Sequence, residues 1–303
     1  MSCNPEPQNY QECARCIYDS KVPSITFDSE GICNYCRQIE SLEHQFGTGS
    51  AKGLELLDEI IEQIKISGKN KKYDVIVGVS GGIDSSYLLH YAVSKGLRPL
   101  AVHYDNTWNT AIASSNISKV TSKLGVDLET YVIDKDEQNE ILLSFMKAGI
   151  CGVDSATDLA LAEVIYRTAF KHGIKYTFDG HSFQAEGVSP LGNSYTDGRF
   201  IKSVVSNYSN VKLRTYPRMT FINFLFWTTF ARIKRVRPLW YIKYSKETAK
   251  KMLIEEYGWE DYGGHHLENR IAAFDHTFLM PYKHNVDQRN NSLSALVRAK
   301  TIS

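Results

Sequence analysis

The stretch that most constrains this chain runs from Tyr73 to Gly96, YDVIVGVSGGIDSSYLLHYAVSKG. Asp74 to Val79 is an apolar, β-branched run ending in a glycine loop, and Leu88, Leu89, Tyr91, Ala92 and Val93 follow at helical spacing, which reads as strand, tight loop, helix. Gly81 and Gly82 stand where the backbone must turn, and the hydroxyls Ser80, Ser85 and Ser86 stand beside the start of the helix. Glycine tolerates positive φ and lets main-chain N–H groups come close to an anion. The unpaired N–H groups and positive dipole end of the helix add to that attraction and make the loop a phosphate cradle. No Gly-Lys-Ser/Thr follows, so this is not a Walker A loop. The competing reading is a plain turn that binds nothing.

The pattern Ser-Gly-Gly-x-Asp-Ser after a hydrophobic strand resembles the PP-loop of the ATP pyrophosphatase superfamily. That resemblance implies a chemistry in which a carbonyl oxygen is adenylated by ATP and a nitrogen or sulfur nucleophile then displaces AMP. Ser80, Ser85 and the loop amides would hold the β,γ-pyrophosphate, and Asp84 would help hold Mg²⁺.

With 303 residues, 43% of them apolar, the chain is long enough for one large α/β domain with appendages. Thirty-five basic against thirty-four acidic residues give no global electrostatic case for nucleic acid, so none is expected as a partner, with a local basic patch as the alternative. No signal segment opens the sequence and no run approaches about eighteen apolar residues, so the expected location is cytoplasmic.

Cys13-x2-Cys16 and Cys33-x2-Cys36 are separated by sixteen residues. Two such knuckles can close a tetrahedral Zn²⁺ site with no open position, and Phe27 to Gly31 reads as the hairpin of a zinc ribbon. A redox or iron–sulfur role for the four is the alternative. Cys3 is read as incidental and Cys151 as a buried apolar residue.

Leu54 to Ile66 carries a helical apolar stripe and links the ribbon to the core. Leu100 to His103, Leu128 to Ile133 and Ile174 to Phe178 read as further strands alternating with helices, the pattern of a doubly wound, mostly parallel α/β sheet. Ligands gather at the carboxyl ends of such strands. Val102 and His103 are therefore expected to frame adenine through the main chain, and Asp105 to contact metal or substrate or else cap a helix. Thr157 and Asp158 either cap the following helix or reach the site. Asp179 to Gly187 resembles the second nucleotide-site loop of PP-loop enzymes. In it Gly180 permits close approach to phosphate or ribose, and His181 and Glu186 are the candidate catalytic groups, together with Asp84, Ser85 and Asp105. Arg199 and Lys202 suit a phosphate or a nucleotide sugar's diphosphate, or form a solvated loop. Phe221 to Phe230, FINFLFWTTF, is expected in the core. Its basic flank, Arg232 to Arg237, makes a membrane or partner contact through 221–237 the alternative. His265, His266 and Glu268 bring imidazoles and a carboxylate together as a candidate substrate or general-base site. The expected divisions are 1–50 (ribbon), 51–72 (linking helix), 73–215 (nucleotide domain) and 216–303 (helical C-terminal substrate or partner segment).

The order FDSEGICNYC, VGVSGGIDSS, GIKYTFDGHSFQAEG, DGRFIKSV and GWEDYGGHHLENR resembles the N-acetyl sugar amidotransferases of bacterial surface-polysaccharide and nonulosonic acid pathways, over almost the whole chain. The resemblance implies conversion of a sugar acetamido group to acetamidino, with ATP, Mg²⁺ and Zn²⁺ as cofactors. The substrate would be a nucleotide-linked N-acetyl sugar. Ammonia would come from a separate glutaminase subunit similar to that of imidazole glycerol phosphate synthase. A tRNA-modifying thiolase and a catalytically silent scaffold are the rival readings.

Overall fold

The computed structural model describes residues 10–188, 196–264, 266–300 and 302. After the ribbon come α1 (Asn34–Phe46) and α2 (Ala51–Gly68). The central unit then alternates as the sequence predicts: β1 (Val75–Gly78), α3 (Ile83–Ser94), β2 (Pro99–Asp105), α4 (Ala111–Leu124) and β3 (Leu128–Val132). There follow α5 (Lys135–Ala148), α6 (Ser155–Lys171), β4 (Tyr176–Phe178), α7 (Phe183–Glu186) and α8 (Gly198–Tyr208). α9 (Phe221–Leu225) continues into a π-helical turn, Phe226–Phe230, and leads to β5 (Lys234–Val236) and α10 (Lys246–Tyr257). The chain closes with α11 (Arg270–Phe274), α12 (Met280–His284) and α13 (Arg289–Arg298).

The five strands form one parallel sheet in the order β3-β2-β1-β4-β5. Strand side chains alternate between faces, and each face carries a core. Val75, Val77 and Val79 pack with α2, α3 and α10, including Leu57, Ile61, Leu88, Leu89 and Leu253. Ile76, Leu100 and Val102 pack with α5, α6 and α8 through Ile141, Phe145, Val164 and Ile201. Polar caps set the helix starts: the hydroxyls of Ser50, Thr110 and Ser245 accept from Gly53, Ala113 and Thr248 N–H. Gly125, Gly149 and Gly258 end α4, α5 and α10 in the left-handed conformation.

Two sequence expectations fail. Phe221 to Phe230 is not core: Trp227 alone of its large side chains is buried, while Phe221, Ile222, Phe224, Leu225, Phe226 and Phe230 are exposed. The sheet's second face is already covered by α5, α6 and α8, which leaves this short helix only one inward position. Cys151 is exposed, because it lies on the loop between α5 and α6 rather than inside either helix.

The ribbon has its own small core of Cys13, Cys16, Tyr18, Cys33, Tyr35 and Cys36. It is tied to the chain's other end by α13. The Tyr18 hydroxyl donates to Asn291 Oδ1 (2.7 Å), and Arg298 Nε donates to Cys36 Sγ (3.2 Å).

Candidate active site and cysteine cluster

In a sheet of this order the direction of winding reverses between β1 and β4, and a crevice opens there beyond the strands' carboxyl ends. A cavity of about 590 Å³ lies at that position. Ser80, Gly82, Asp84 and Ser85 reach it from the loop after β1, and Asp179, Gly180, His181 and Glu186 from the segment after β4. Asp158 enters from α6, Lys246 and Lys250 from α10, and Asp261 to Gly264, His266 and Glu268 from the late glycine-rich segment.

The loop is built from its own hydroxyls. Ser80 Oγ and Ser85 Oγ lie 3.2 Å apart, Gly82 N–H donates to Ser80 Oγ (3.3 Å), and Ser80 N–H donates to Ser85 Oγ (3.2 Å). Gly81 adopts φ +82°, and a Cβ there would stand 2.3 Å from the carbonyl oxygen of Ala113. Its own carbonyl accepts from the buried Trp259 indole (3.0 Å) and from Asn116 (3.4 Å). The late segment therefore clamps the loop from outside. Gly81→Ala is expected to destabilise the protein by more than ~2 kcal/mol, since backbone strain adds to a backbone overlap. Gly125→Ala, also at positive φ but with nothing within 4 Å of the added methyl, should cost only ~1 kcal/mol. Paired thermal melts separate the two.

Lys246 is the hub of the cavity. Its Nζ lies 2.9 Å from Asp84 and 3.0 Å from Glu186, and the Tyr244 hydroxyl donates to Asp84 (2.5 Å). Burial and the charge of Glu186 push the Asp84 carboxyl up, only partly offset by Lys246 and Tyr244. Lys246 is held above its usual range because two carboxylates outweigh its burial. Asp179, although half-buried, is kept below the usual carboxylate range by Arg237, 2.9 Å away. His181 Nδ1 accepts from the Trp240 indole (3.3 Å). His266 Nδ1 lies 3.5 Å from Glu268, whose charge raises the imidazole against the effect of burial.

Sequence reasoning placed ten of these residues at a site: Ser80, Gly82, Asp84, Ser85, Asp158, Gly180, His181, Glu186, His266 and Glu268 all line this cavity. Other candidates lie elsewhere. The Val102 carbonyl accepts from Val79 N–H (2.9 Å) in the β-ladder. The buried His103 ring lies between the Val79 carbonyl (2.8 Å) and Asn109 (3.0 Å). A central strand's main chain is spent on its neighbours, so the expected adenine frame is not free there. Asp105 accepts from Thr107 N–H (2.7 Å), a local turn. Thr157, inside the first turn of α6, donates to the Asp154 side chain (2.6 Å) and neither caps the helix nor lines the cavity. Ser86 is buried inside α3. A Cβ on Gly180 would meet Asp84 at an ordinary 3.7 Å, so close approach does not require glycine there. Arg199 and Lys202 line a different hollow, with Arg218. His265 lies outside the described residues. Lys246 and Tyr244 were missed, because an isolated Lys or Tyr on an ordinary amphipathic stretch carries no motif; Asp179 stands in the loop the sequence points to but was given no role there.

Behind the cavity, burial and the charges of Asp158 and Asp275 push Asp154 up to about 7. A carboxyl raised in the fold keeps its proton where the unfolded chain has lost it, so stability falls as pH climbs from about 4 to 7. Asp154→Asn should flatten that fall, seen in melting curves at about pH 5 and pH 7.5.

No family model matches the sequence, and no curated protein matches it. Among solved structures, several match parts of the chain at low identity. An NH3-dependent NAD synthetase from Campylobacter jejuni is 16% identical, with 51% of this chain and 72% of that one covered and a TM-score of 0.33. An NMN synthetase from Francisella tularensis is 15% identical over 66% and 90% (TM-score 0.34). A U34-tRNA thiolase from Methanococcus maripaludis, solved with its 4Fe–4S cluster, is 13% identical over 97% and 89% (TM-score 0.36). At these values the likeness decides neither activity nor substrate, which must be read from the site itself.

The four ribbon cysteines are buried, and their sulfurs lie within 4.8 Å of one another. Cys13 to Cys36 and Cys16 to Cys33 are each 3.8 Å. A tetrahedron with metal–sulfur bonds of ~2.3 Å has edges of about 3.8 Å, so the donor set fits one tetrahedral ion.

Proposed function

We propose that the chain is an AMP-forming, ATP-dependent amidotransferase that converts the acetamido group of a nucleotide-linked sugar into an acetamidino group. The observation that carries the nucleotide chemistry is the convergence of the serine–glycine loop, Asp84, Glu186 and Lys246 on one cavity at the strand-order reversal. The sugar is supported by the order of sequence motifs from FDSEGICNYC to GWEDYGGHHLENR.

The loop N–H groups and the Ser80 and Ser85 hydroxyls bind the β,γ-pyrophosphate, and Lys246 contributes positive charge beside it. Six carboxylates line the cavity against two lysines, a donor set that admits a polyphosphate only with a divalent cation. Asp84 and Glu186 would hold Mg²⁺, which when bound neutralises the departing pyrophosphate. The amide oxygen attacks the α-phosphorus, and pyrophosphate leaves with the electron pair of the broken P–O bond. Ammonia then adds to the activated carbon, and AMP departs carrying the former amide oxygen. Glu268, beside His266, accepts the proton released as the C=N bond forms. The clamp of the 259–268 segment over the loop excludes water, which would return the intermediate to the amide. The ribbon ion is Zn²⁺, structural because all four positions are filled by sulfur. A separate glutaminase subunit supplies the ammonia, and the enzyme works in the cytoplasm.

The test supplies ATP, Mg²⁺ and ammonium with a panel of nucleotide-linked N-acetyl sugars or with bulk tRNA. AMP formed only with a sugar, alongside a product in which NH replaces oxygen by mass, supports the reading. AMP formed only with tRNA overturns the sugar and favours a tRNA-modifying enzyme.

A further inference from the structure

The chain's near-neutral balance conceals a strongly one-sided region. From Gly198 to Lys246 there are eleven Lys and Arg and no Asp or Glu. The structure gathers much of this charge around the exposed apolar helix. A hollow of about 620 Å³ is lined by Arg167, Lys202, Lys212, Arg214 and Arg218 with no carboxylate, and Asn223 of α9 forms part of its wall. A second hollow, lined by Arg199, Lys202 and Arg218, is bordered by Ile222 and Asn223. Arg199, Lys202, Lys212, Arg214, Arg218 and Arg232 are exposed and form no ion pair among the described residues. The segment that carries the cations is held firmly: the buried Glu137 carboxylate accepts from the N–H groups of Arg214, Thr215 and Tyr216 (2.8–3.1 Å). Their side chains project to solvent from a fixed backbone.

Six apolar side chains stand exposed within the ten residues Phe221–Phe230, at 36–74% exposure. The exposed ring of Phe170 packs on Phe226 at 5.6 Å and widens the patch. Such a patch in water is unfavourable unless something covers it. A stacked nucleic acid would use the aromatic faces but not Ile222 and Leu225. A bilayer interface uses all of them, and its anionic headgroups complement the unpaired cations.

We propose that α9, its π-turn and the two bordering cationic hollows form a peripheral membrane face, in which Phe221, Ile222, Leu225 and Phe230 enter the interface and Arg and Lys hold lipid phosphates. The proposal stands independently of the nucleotide chemistry. α6 presents Asp158 to the cavity and Phe170 to this face, about 18 Å further along the helix, so the two surfaces can be altered separately.

The test is flotation of the full chain with vesicles of phosphatidylcholine alone or mixed with phosphatidylglycerol, at low and high salt. Binding to the anionic vesicles only, weakened at least tenfold by salt, is expected. Phe221→Ser/Phe230→Ser and, separately, Lys212→Glu/Arg214→Glu should each lower that binding at least tenfold while circular dichroism stays that of the parent. All four side chains are exposed, so the fold should survive. No binding to anionic vesicles, or binding that both variants retain, overturns the proposal. So does tRNA binding lost in the charge variant with no vesicle binding in the parent, which would reassign the face to RNA.

Discussion

Asp84→Ala is expected to lower AMP formation by at least 10²-fold while leaving the melting temperature nearly unchanged, the size typical of losing a group that stabilises developing charge. Asp84 is the first acidic residue of α3 and stands where three elements meet: the loop after β1, the segment after β4 and the start of α10. Burial raises its carboxyl, so the folded protein gains little by keeping it ionised. Removing it leaves the Lys246–Glu186 ion pair in place, which is why stability should hold. Lys246→Met removes the cation between the two carboxylates and should lose activity to a similar degree, whereas Lys250→Met, on the cavity rim, should lose less. Steady-state AMP release with a thermal melt for each variant checks all three; an Asp84→Ala enzyme with near-parental turnover would remove the loop from the chemistry.

The second large effect is expected at Cys33. Its side chain is fully buried, lies 3.8 Å from Cys16 Sγ and also caps α1 by accepting from Cys36 N–H. Cys33→Ser keeps a capping oxygen but replaces a soft thiolate ligand, so it separates metal loss from cap loss. The ribbon's core consists of the four cysteines, two tyrosines and a few half-buried apolar side chains, too little to hold a fold without the ion. The variant should lose its metal and its amide protection from about residue 10 to residue 46, and loosen α13 through Tyr18 and Arg298. Elemental analysis and hydrogen exchange read both; full metal retention would contradict a four-thiolate site.

The parts of this molecule legible in sequence share one property: their chemistry is encoded in short spacing. The Ser-Gly-Gly-x-Asp-Ser loop, the paired CxxC knuckles and the β-branched strands each announce themselves within a few residues, and each stands where the sequence predicts. What stayed hidden depends on tertiary assembly. Lys246 approaches Asp84 across 162 positions of sequence, and the Trp259 indole reaches Gly81 across 178; neither carries a local signal. β5, only three residues long and rich in Lys and Arg, reads as a charged flank until its pairing with β4 is seen. The FINFLFWTTF run misled for a related reason. Apolar composition predicts burial only when a face of the core remains to be covered, and α5, α6 and α8 had already covered it. For Val102 and His103, strand-end position does not say whether a main-chain group is still free after the sheet has formed: the Val102 carbonyl accepts from Val79 N–H.

The most direct test of the central claim follows the fate of the amide oxygen. With an N-acetyl sugar nucleotide carrying heavy oxygen in its acetamido carbonyl, together with ATP and ammonium, the label should appear in the phosphate of AMP, with pyrophosphate as the second product. ADP and inorganic phosphate as products, or AMP free of the label, would contradict an adenylated amide and with it the function proposed for this cavity.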